Sequence, residues 1–434
     1  MTDEPTATDT GTLLEFMFRL GQALLACGEQ TAKVELLLRR VASAYGARRS
    51  RVVTLPTAVF ISLHDGQEER VTFAEGPTQT LRLDQIADVY ELGDAAQRGV
   101  VAPREGLARL TAIQRKAPRF GNAGVVIGHT ILTMGLAIVL MPEPVNVACT
   151  AALGAVVGGL KVFNRDRAVL AVPLPVVAAA LVSMLVFLAV KWGLPVSPLH
   201  ALVPPLVAFL PGAMLTLGMV ELAYGDMVSG SSRLVAGVVQ LVLIAFGLAA
   251  GAVLVGFSPE NLVDVYQEVD TTTWARWAPW AGVLVFGVGA YLHFSAPRNS
   301  LGWMLLVLLI AFAAQQLAAG LFGNAGSGFF GMLVVTPLGY LIHLRFKGPP
   351  PMVTFLPSFW LLVPGVLSLL SLKYMLSDRN AGIDGMVTAV FVFASIAMGT
   401  LMGASLYKLA TERFGWWQLQ LGRVGRYFQR GGKP

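Results

Sequence analysis

Residues 202–212 read Leu-Val-Pro-Pro-Leu-Val-Ala-Phe-Leu-Pro-Gly and lie inside an apolar stretch long enough to cross a bilayer. Proline has no backbone donor and clashes with the turn before it, so a helix running through Pro204 and Pro211 bends or breaks. In hydrocarbon the freed carbonyls persist only where protein or a water-lined cavity covers them. The device returns at 353–365, Val-Thr-Phe-Leu-Pro-Ser-Phe-Trp-Leu-Leu-Val-Pro-Gly. Pro211 to Pro364 and Pro204 to Pro357 are both 153 residues apart (364 − 211 and 357 − 204). Interrupted segments at matching points of two halves point to a transporter's binding site. Pro204, Pro211, Gly212 and Thr216, with Pro357, Pro364, Gly365 and Ser368, are the substrate-binding candidates.

Composition fits that reading. Of 434 residues, 55% are hydrophobic and only 13% charged, about half the charged share of soluble domains. The net charge of +6 has no aromatic-interleaved basic patch behind it, so nucleic acid is not the expected partner. Basic residues here read as loop charges on the cytoplasmic side. Cys27 and Cys149 lie in different regions, so neither a disulfide nor a metal site is expected. No cofactor motif is present: no phosphate loop, no nucleophile elbow, no zinc spacing. An enzyme is not expected.

Residues 1–10 read as a disordered N-terminus. An α+β domain is expected over 11–117. Two amphipathic helices come first, with Leu13, Phe16, Met17, Leu20 and Leu24 on one face and Val34, Leu37, Leu38, Val41 and Tyr45 on another, separated by Gly28. Three β-branched runs follow (51–55, 58–63, 70–73), then two more helices. From Phe120 apolar spans of about 17–25 residues set in. Five are expected in 118–256 (120–141, 145–163, 168–190, 199–224, 233–256) and five in 279–410 (279–296, 301–322, 328–346, 353–376, 383–408). Between them 257–278 reads as an acidic extracytoplasmic linker, and 411–434 as a basic cytoplasmic tail. Lys/Arg in the short loops place both termini in the cytoplasm; Lys191, Lys373 and Arg379 dissent. Five being odd, the two halves face opposite ways, an inverted repeat. Gly247/Gly251 and Gly399/Gly403 recur at similar distances after Pro211 and Pro364, a second matched mark. The expected fold is therefore an α-helical polytopic membrane protein of ten transmembrane helices in two inverted five-helix repeats, behind a small cytoplasmic α+β domain.

The motif Gly28-Glu29-Gln30-Thr31-Ala32-Lys33-Val34-Glu35 and the run from Thr54 to Gly66 resemble the threonine/serine exporter family. So do Leu210-Pro211-Gly212, Gly225-Asp226 with Gly230 and Arg233, and Val363-Pro364-Gly365. The resemblance covers residues 12–410. Lys33 stands where arginine is expected, with the charge kept. The resemblance implies an inner-membrane exporter of small hydroxylated amino acids, driven by the proton gradient. Some relatives are associated with dicarboxylate export, so that substrate class stays open, as does a membrane-anchored enzyme or sensor acting through the N-terminal domain. Partners are threonine and serine, protons and the lipid bilayer; a homo-oligomer is compatible with the sequence.

Candidates for proton coupling or gating are the ionisable and polar groups set among apolar residues. Glu221, Asp226 and Arg233 flank the end of span four, His129 titrates near neutrality in span one, and Gln240 and Gln315 lie in apolar helices. Carboxylates are expensive in lipid and usually serve a path or a proton, though a solvated helix end is the plain alternative. Glu29, Thr31, Glu35, Thr57, His64 and Asp65 form the N-terminal motif. Helix capping and a hairpin turn are its plain reading.

Overall fold

The computed structural model describes residues 10–47, 50–64, 69–75, 81–165, 167, 173–256, 273–362 and 379–413. The expected disordered N-terminus, most of the 257–278 linker, the 414–434 part of the tail, and Asp65, Pro364, Gly365 and Ser368 lie outside them.

Helices α1 (Thr10–Ala26) and α2 (Thr31–Ala44) open the chain. Gly28 between them has φ +80°, a conformation open to glycine at no steric cost. Strands β1 (Ser50–Leu55), β2 (Ala58–His64) and β3 (Glu69–Glu75) form an antiparallel meander in the order β1-β2-β3. Leu55 pairs with Ala58, which leaves Pro56-Thr57 as the turn of the first hairpin. One face of the sheet, with Val52, Val59, Ile61 and Leu63 buried, joins the core made by Phe16, Met17, Leu20 and Leu24 of α1. Helices α3 (Leu83–Gln97) and α4 (Pro103–Arg115) follow. Gly106 of α4 lies so close to the Phe16 ring that a Cβ there would displace it.

Among the described residues ten α-helices then run between 121 and 362: α5 (Gly121–Leu140), α6 (Pro144–Asn164), α7 (Leu174–Lys191), α8 (Pro198–Leu202), α9 (Gly212–Ala223), α10 (Met227–Leu254), α11 (Thr273–His293), α12 (Leu301–Phe322), α13 (Asn324–Phe346) and α14 (Pro351–Leu362). The final helix is α15 (Arg379–Arg413). Among the described residues seven helices are long and apolar enough to cross a membrane, where the sequence led us to expect ten spans. The chain is a multi-pass membrane protein. On α10 the apolar stripe Val235, Val238, Val239, Val242 and Phe246 is exposed, as on a helix whose solvent is lipid.

Three differences from expectation have physical causes. The span expected at 199–224 is broken into α8, the 3₁₀ helix η1 (Pro204–Phe209) and α9. Pro204, Pro205 and Pro211 cannot donate to an α-helical ladder, and the chain closes i→i+3 bonds instead, Leu206 N–H to Val203 O at 3.0 Å among them. The matching stretch is not unwound over 353–362. Helix α14 runs unbroken with Pro357 inside it, one missing donor being absorbed where three were not. Finally, α11 begins at Thr273, inside the expected linker, and carries Pro279 in its interior; the linker's acidic residues end at Asp270.

Small residues set the helix crossings. Gly247 and Gly251 of α10 press against the Val176 and Ala180 carbonyls of α7. Gly399 and Gly403 of α15 press in the same way against the Phe329 and Leu333 carbonyls of α13. Gly128, Gly135, Gly282 and Gly289 bring α5 and α11 into backbone contact. The N-terminal elements are not a separate body. One buried cluster runs from α1–α4 and the sheet into α5, α11, α12 and α14, and Leu83 N–H bonds the Phe294 carbonyl at 3.1 Å.

Candidate functional site

The site begins with the broken segment. Its prolines leave carbonyls without helical partners, and two side chains from other helices cover them. His129 Nε2 of α5 lies 3.0 Å from Pro205 O. Gln240 Nε2 of α10 donates to Phe209 O at 2.7 Å. Pro204, Pro211 and Gly212 are themselves buried, as is Thr216 one turn further on, whose hydroxyl has no partner among the described residues.

Where α9 ends, Gly225 turns the chain at φ +88°, so that α10 folds back and Arg233 faces Glu221. Arg233 Nε donates to Glu221 Oε2 at 2.9 Å, with the carboxylate side chain 1% exposed. The other carboxylate oxygen accepts from Thr31, from its backbone N–H at 3.0 Å and its hydroxyl at 3.2 Å. Thr31 is the first residue of α2, and its preceding residue, Gln30, makes no side-chain cap. The donors at that helix end are thus met by a carboxylate 190 residues away, which also suits the positive end of the helix dipole. Arg233 Nη2 donates to the Glu29 carbonyl at 2.9 Å, Thr54 Oγ donates to the Thr31 carbonyl at 2.7 Å, and Thr31 Oγ lies 3.2 Å from Asp226 Oδ2. Two motifs far apart in sequence form one buried network.

Beside it lies a cavity of about 500 Å³, its open mouth included. One wall is apolar: Leu217 and Val220 of α9, with Met352, Phe355 and Phe359 on one face of α14. The other carries Glu29, Lys33, Tyr90, Thr336, Tyr340 and Thr400. Lys33 Nζ lies 2.9 Å from Glu29 Oε2 and within 6 Å of the Tyr90 and Tyr340 ring centres. Tyr90 donates to the same Glu29 oxygen. Burial alone would raise the Glu29 carboxyl, but Lys33 and these hydrogen bonds outweigh it and hold it below its ordinary value. Lys33, its side chain partly exposed, is held above the ordinary lysine range by Glu29, which outweighs the solvent its ammonium has lost. Burial, then Glu29, pushes Tyr90 well up, so it remains a neutral donor. Thr336 lies buried, its hydroxyl without a partner among the described residues.

The structure therefore brings together Glu29, Thr31, Glu221, Asp226 and Arg233, and separately His129 and Gln240 at the broken segment. It does not bring Glu35, Thr57, His64 or Gln315 to either place. Glu35 pairs with Arg39 at 2.6 Å along α2, Thr57 is exposed in its hairpin turn, His64 ends β2, and Gln315 is half-buried on α12. Pro357 is buried in α14, off the face that lines the cavity. Tyr90, Thr336, Tyr340 and Thr400 were not legible as site residues. They sit in elements whose sequence shows only amphipathic or apolar patterning. Among the described residues, no group of acidic, histidine or cysteine side chains is arranged to hold a metal.

A bundle of helices long and apolar enough to cross a membrane, one span broken by buried prolines and a charged network beside a small open cavity, fits the class of membrane transporters. The family model for threonine/serine exporters matches residues 15–255, and the chain belongs to that family. It is similar to a threonine/serine exporter of Corynebacterium glutamicum, 22% identical along an alignment of 424 positions that covers 89% of this chain and 80% of that protein. No solved structure matches the chain. The family is one of transporters for amino-acid export, not of enzymes.

Proposed function

We propose that the protein exports threonine and serine across the inner membrane, driven by the proton gradient, with both termini in the cytoplasm. The observation that carries this reading is the cavity between the N-terminal elements and α9, α13, α14 and α15. It offers an ammonium, a carboxylate and neutral hydroxyls against an apolar wall. A zwitterion with a short hydroxylated side chain can open the Lys33–Glu29 pair, its carboxylate facing Lys33 and its ammonium facing Glu29. Thr336 and Thr400 then suit the substrate hydroxyl. The cavity touches the broken span through α9, so a change at Pro204–Gly212 reaches it directly. The Glu221–Arg233–Thr31 network ties both to the N-terminal elements and serves as the gate.

Support for two inverted halves comes from the matched glycine contacts, α10 on α7 and α15 on α13. The proline spacing and the loop charges agree with it. The decisive test is efflux of labelled threonine from loaded proteoliposomes with an imposed pH gradient. Gradient-dependent efflux competed by serine supports the reading. Competition by succinate and not by serine would assign dicarboxylates instead, and efflux indifferent to the gradient would remove the proton drive.

A further inference from the structure

Three nitrogen bases meet where α5, α6 and α11 pack, apart from the network and the cavity, the two histidines buried and Lys161 half-buried. Lys161 of α6 places Nζ 3.0 Å from Nε2 of His293 on α11. Nδ1 of His293 lies 2.8 Å from the Val125 carbonyl of α5. The His293 and His129 rings are 4.6 Å apart, centre to centre. A carbonyl only accepts, so His293 carries its proton on Nδ1 and offers Nε2 to the Lys161 ammonium. By the same reasoning His129 carries its proton on Nε2, toward Pro205 O. Its Nδ1 is left as a lone pair, buried and without a partner among the described residues. His129 is 0% exposed and His293 6%.

Two aromatic rings also face the ammonium. Lys161 Nζ lies 4.8 Å from the Phe209 ring centre and 5.8 Å from that of Phe294. Gly128 against the His293 backbone and Gly158 against His129 hold α5, α6 and α11 close. Among the described residues the titratable groups that act on one another here are these three, with no carboxylate. Segment η1 brings none, and His200 of α8 bonds Ser197 at 2.9 Å. An uncompensated ammonium in such a place is costly, which favours a group that gives its proton up and regains it.

We propose that Lys161, His293 and His129 are the proton-carrying site of the transport cycle. The proposal rests on the proton-driven reading above. In the Lys161–His293 pair the proton moves from Nζ to Nε2, leaving a neutral amine and an imidazolium with no change in total charge. A proton from solvent takes the Nδ1 lone pair of His129 and makes it an imidazolium. Its Nε2–H then bonds the Pro205 carbonyl as a charged donor, and charge-assisted bonds are shorter and stronger. That carbonyl belongs to the broken span, so the load is felt where the helix is interrupted. Transfer between the two imidazoles is by rotation of rings whose centres lie 4.6 Å apart.

The test uses the purified full chain in proteoliposomes, with Lys161→Gln, His293→Gln and Lys161→Arg, each checked for a monodisperse peak in detergent. Two readouts are compared: threonine accumulation driven by a pH difference, and exchange of labelled for unlabelled threonine without one. One pH unit sustains about a tenfold threonine gradient per proton exchanged in the wild type. All three variants are expected to lose that gradient and keep exchange. Arginine keeps the charge but does not release its proton, so a merely structural lysine would be rescued by it; rescue would overturn the proposal. Variants that retain the gradient would overturn it too. Loss of exchange in a folded variant would assign Lys161 to cargo binding instead. A wild type indifferent to the pH difference would overturn the proton-driven reading along with the site.

Discussion

Arg233 and Glu221 show what a single side chain decides here. Removing the guanidinium leaves a carboxylate 1% exposed with only the Thr31 donors. Breaking a buried pair at one partner costs about 3–5 kcal/mol. Arg233→Met is therefore expected to lower the midpoint of thermal unfolding in detergent clearly, and Glu221→Gln/Arg233→Met to recover part of the loss, since no buried charge is then stranded. Glu29 gives a pH dependence. Its folded pKa is depressed, so the stability it adds is present above the ordinary glutamate value, about 4.3, and is lost as pH falls through the lower folded value. The thermal midpoints of wild type and Glu29→Gln, measured against pH, are expected to differ at neutral pH and to converge in acid.

At the scale of elements, the broken span is the feature most exposed to substitution. Pro211→Ala restores a donor and lets α9 extend toward η1. Threonine efflux is expected to fall to the level of empty vesicles while the protein still inserts. The glycine crossings make a second case. A side chain at Gly247 would strike the Val176 carbonyl and the Ala179 Cβ. Overpacking of this kind typically costs about 1–3 kcal/mol. If the two halves are equivalent, as proposed, Gly247→Leu and Gly399→Leu are expected to lower thermal stability by comparable amounts; a loss in only one would argue against equivalent halves.

Across the whole molecule, the N-terminal elements and the membrane helices share one core. Removing residues 1–117 strips the buried partners of α5, α11 and α14 and takes away Thr31 and Glu29. The shortened chain is expected to aggregate on extraction in detergent, as judged by size-exclusion chromatography, and to carry no threonine. An N-terminal unit that merely hung from the membrane part would leave the remainder monodisperse.

Legibility followed the range of the interactions. The strands at 51–55 and 58–63, the first helices and the interruption at Pro204–Gly212 were readable because alternation, amphipathic spacing and missing donors act within a few residues. The second interruption was misjudged over 353–362, since whether one proline breaks a helix depends on what packs around it. The motif around Thr31 and the motif around Asp226 were visible singly, but their meeting was not. Lys161 looked like a loop charge because it stands in the last turn of its helix. By itself the sequence determined that the chain lives in lipid, where its span breaks and which charged motifs are unusual, all consequences of local hydropathy and backbone chemistry. Only the tertiary structure decided that Glu221 caps α2, that Lys33 and Glu29 face a cavity, and that Lys161 meets two histidines. Glu221 and Thr31 stand 190 positions apart and Lys161 and His293 132, and only helix packing brings such residues within bonding distance.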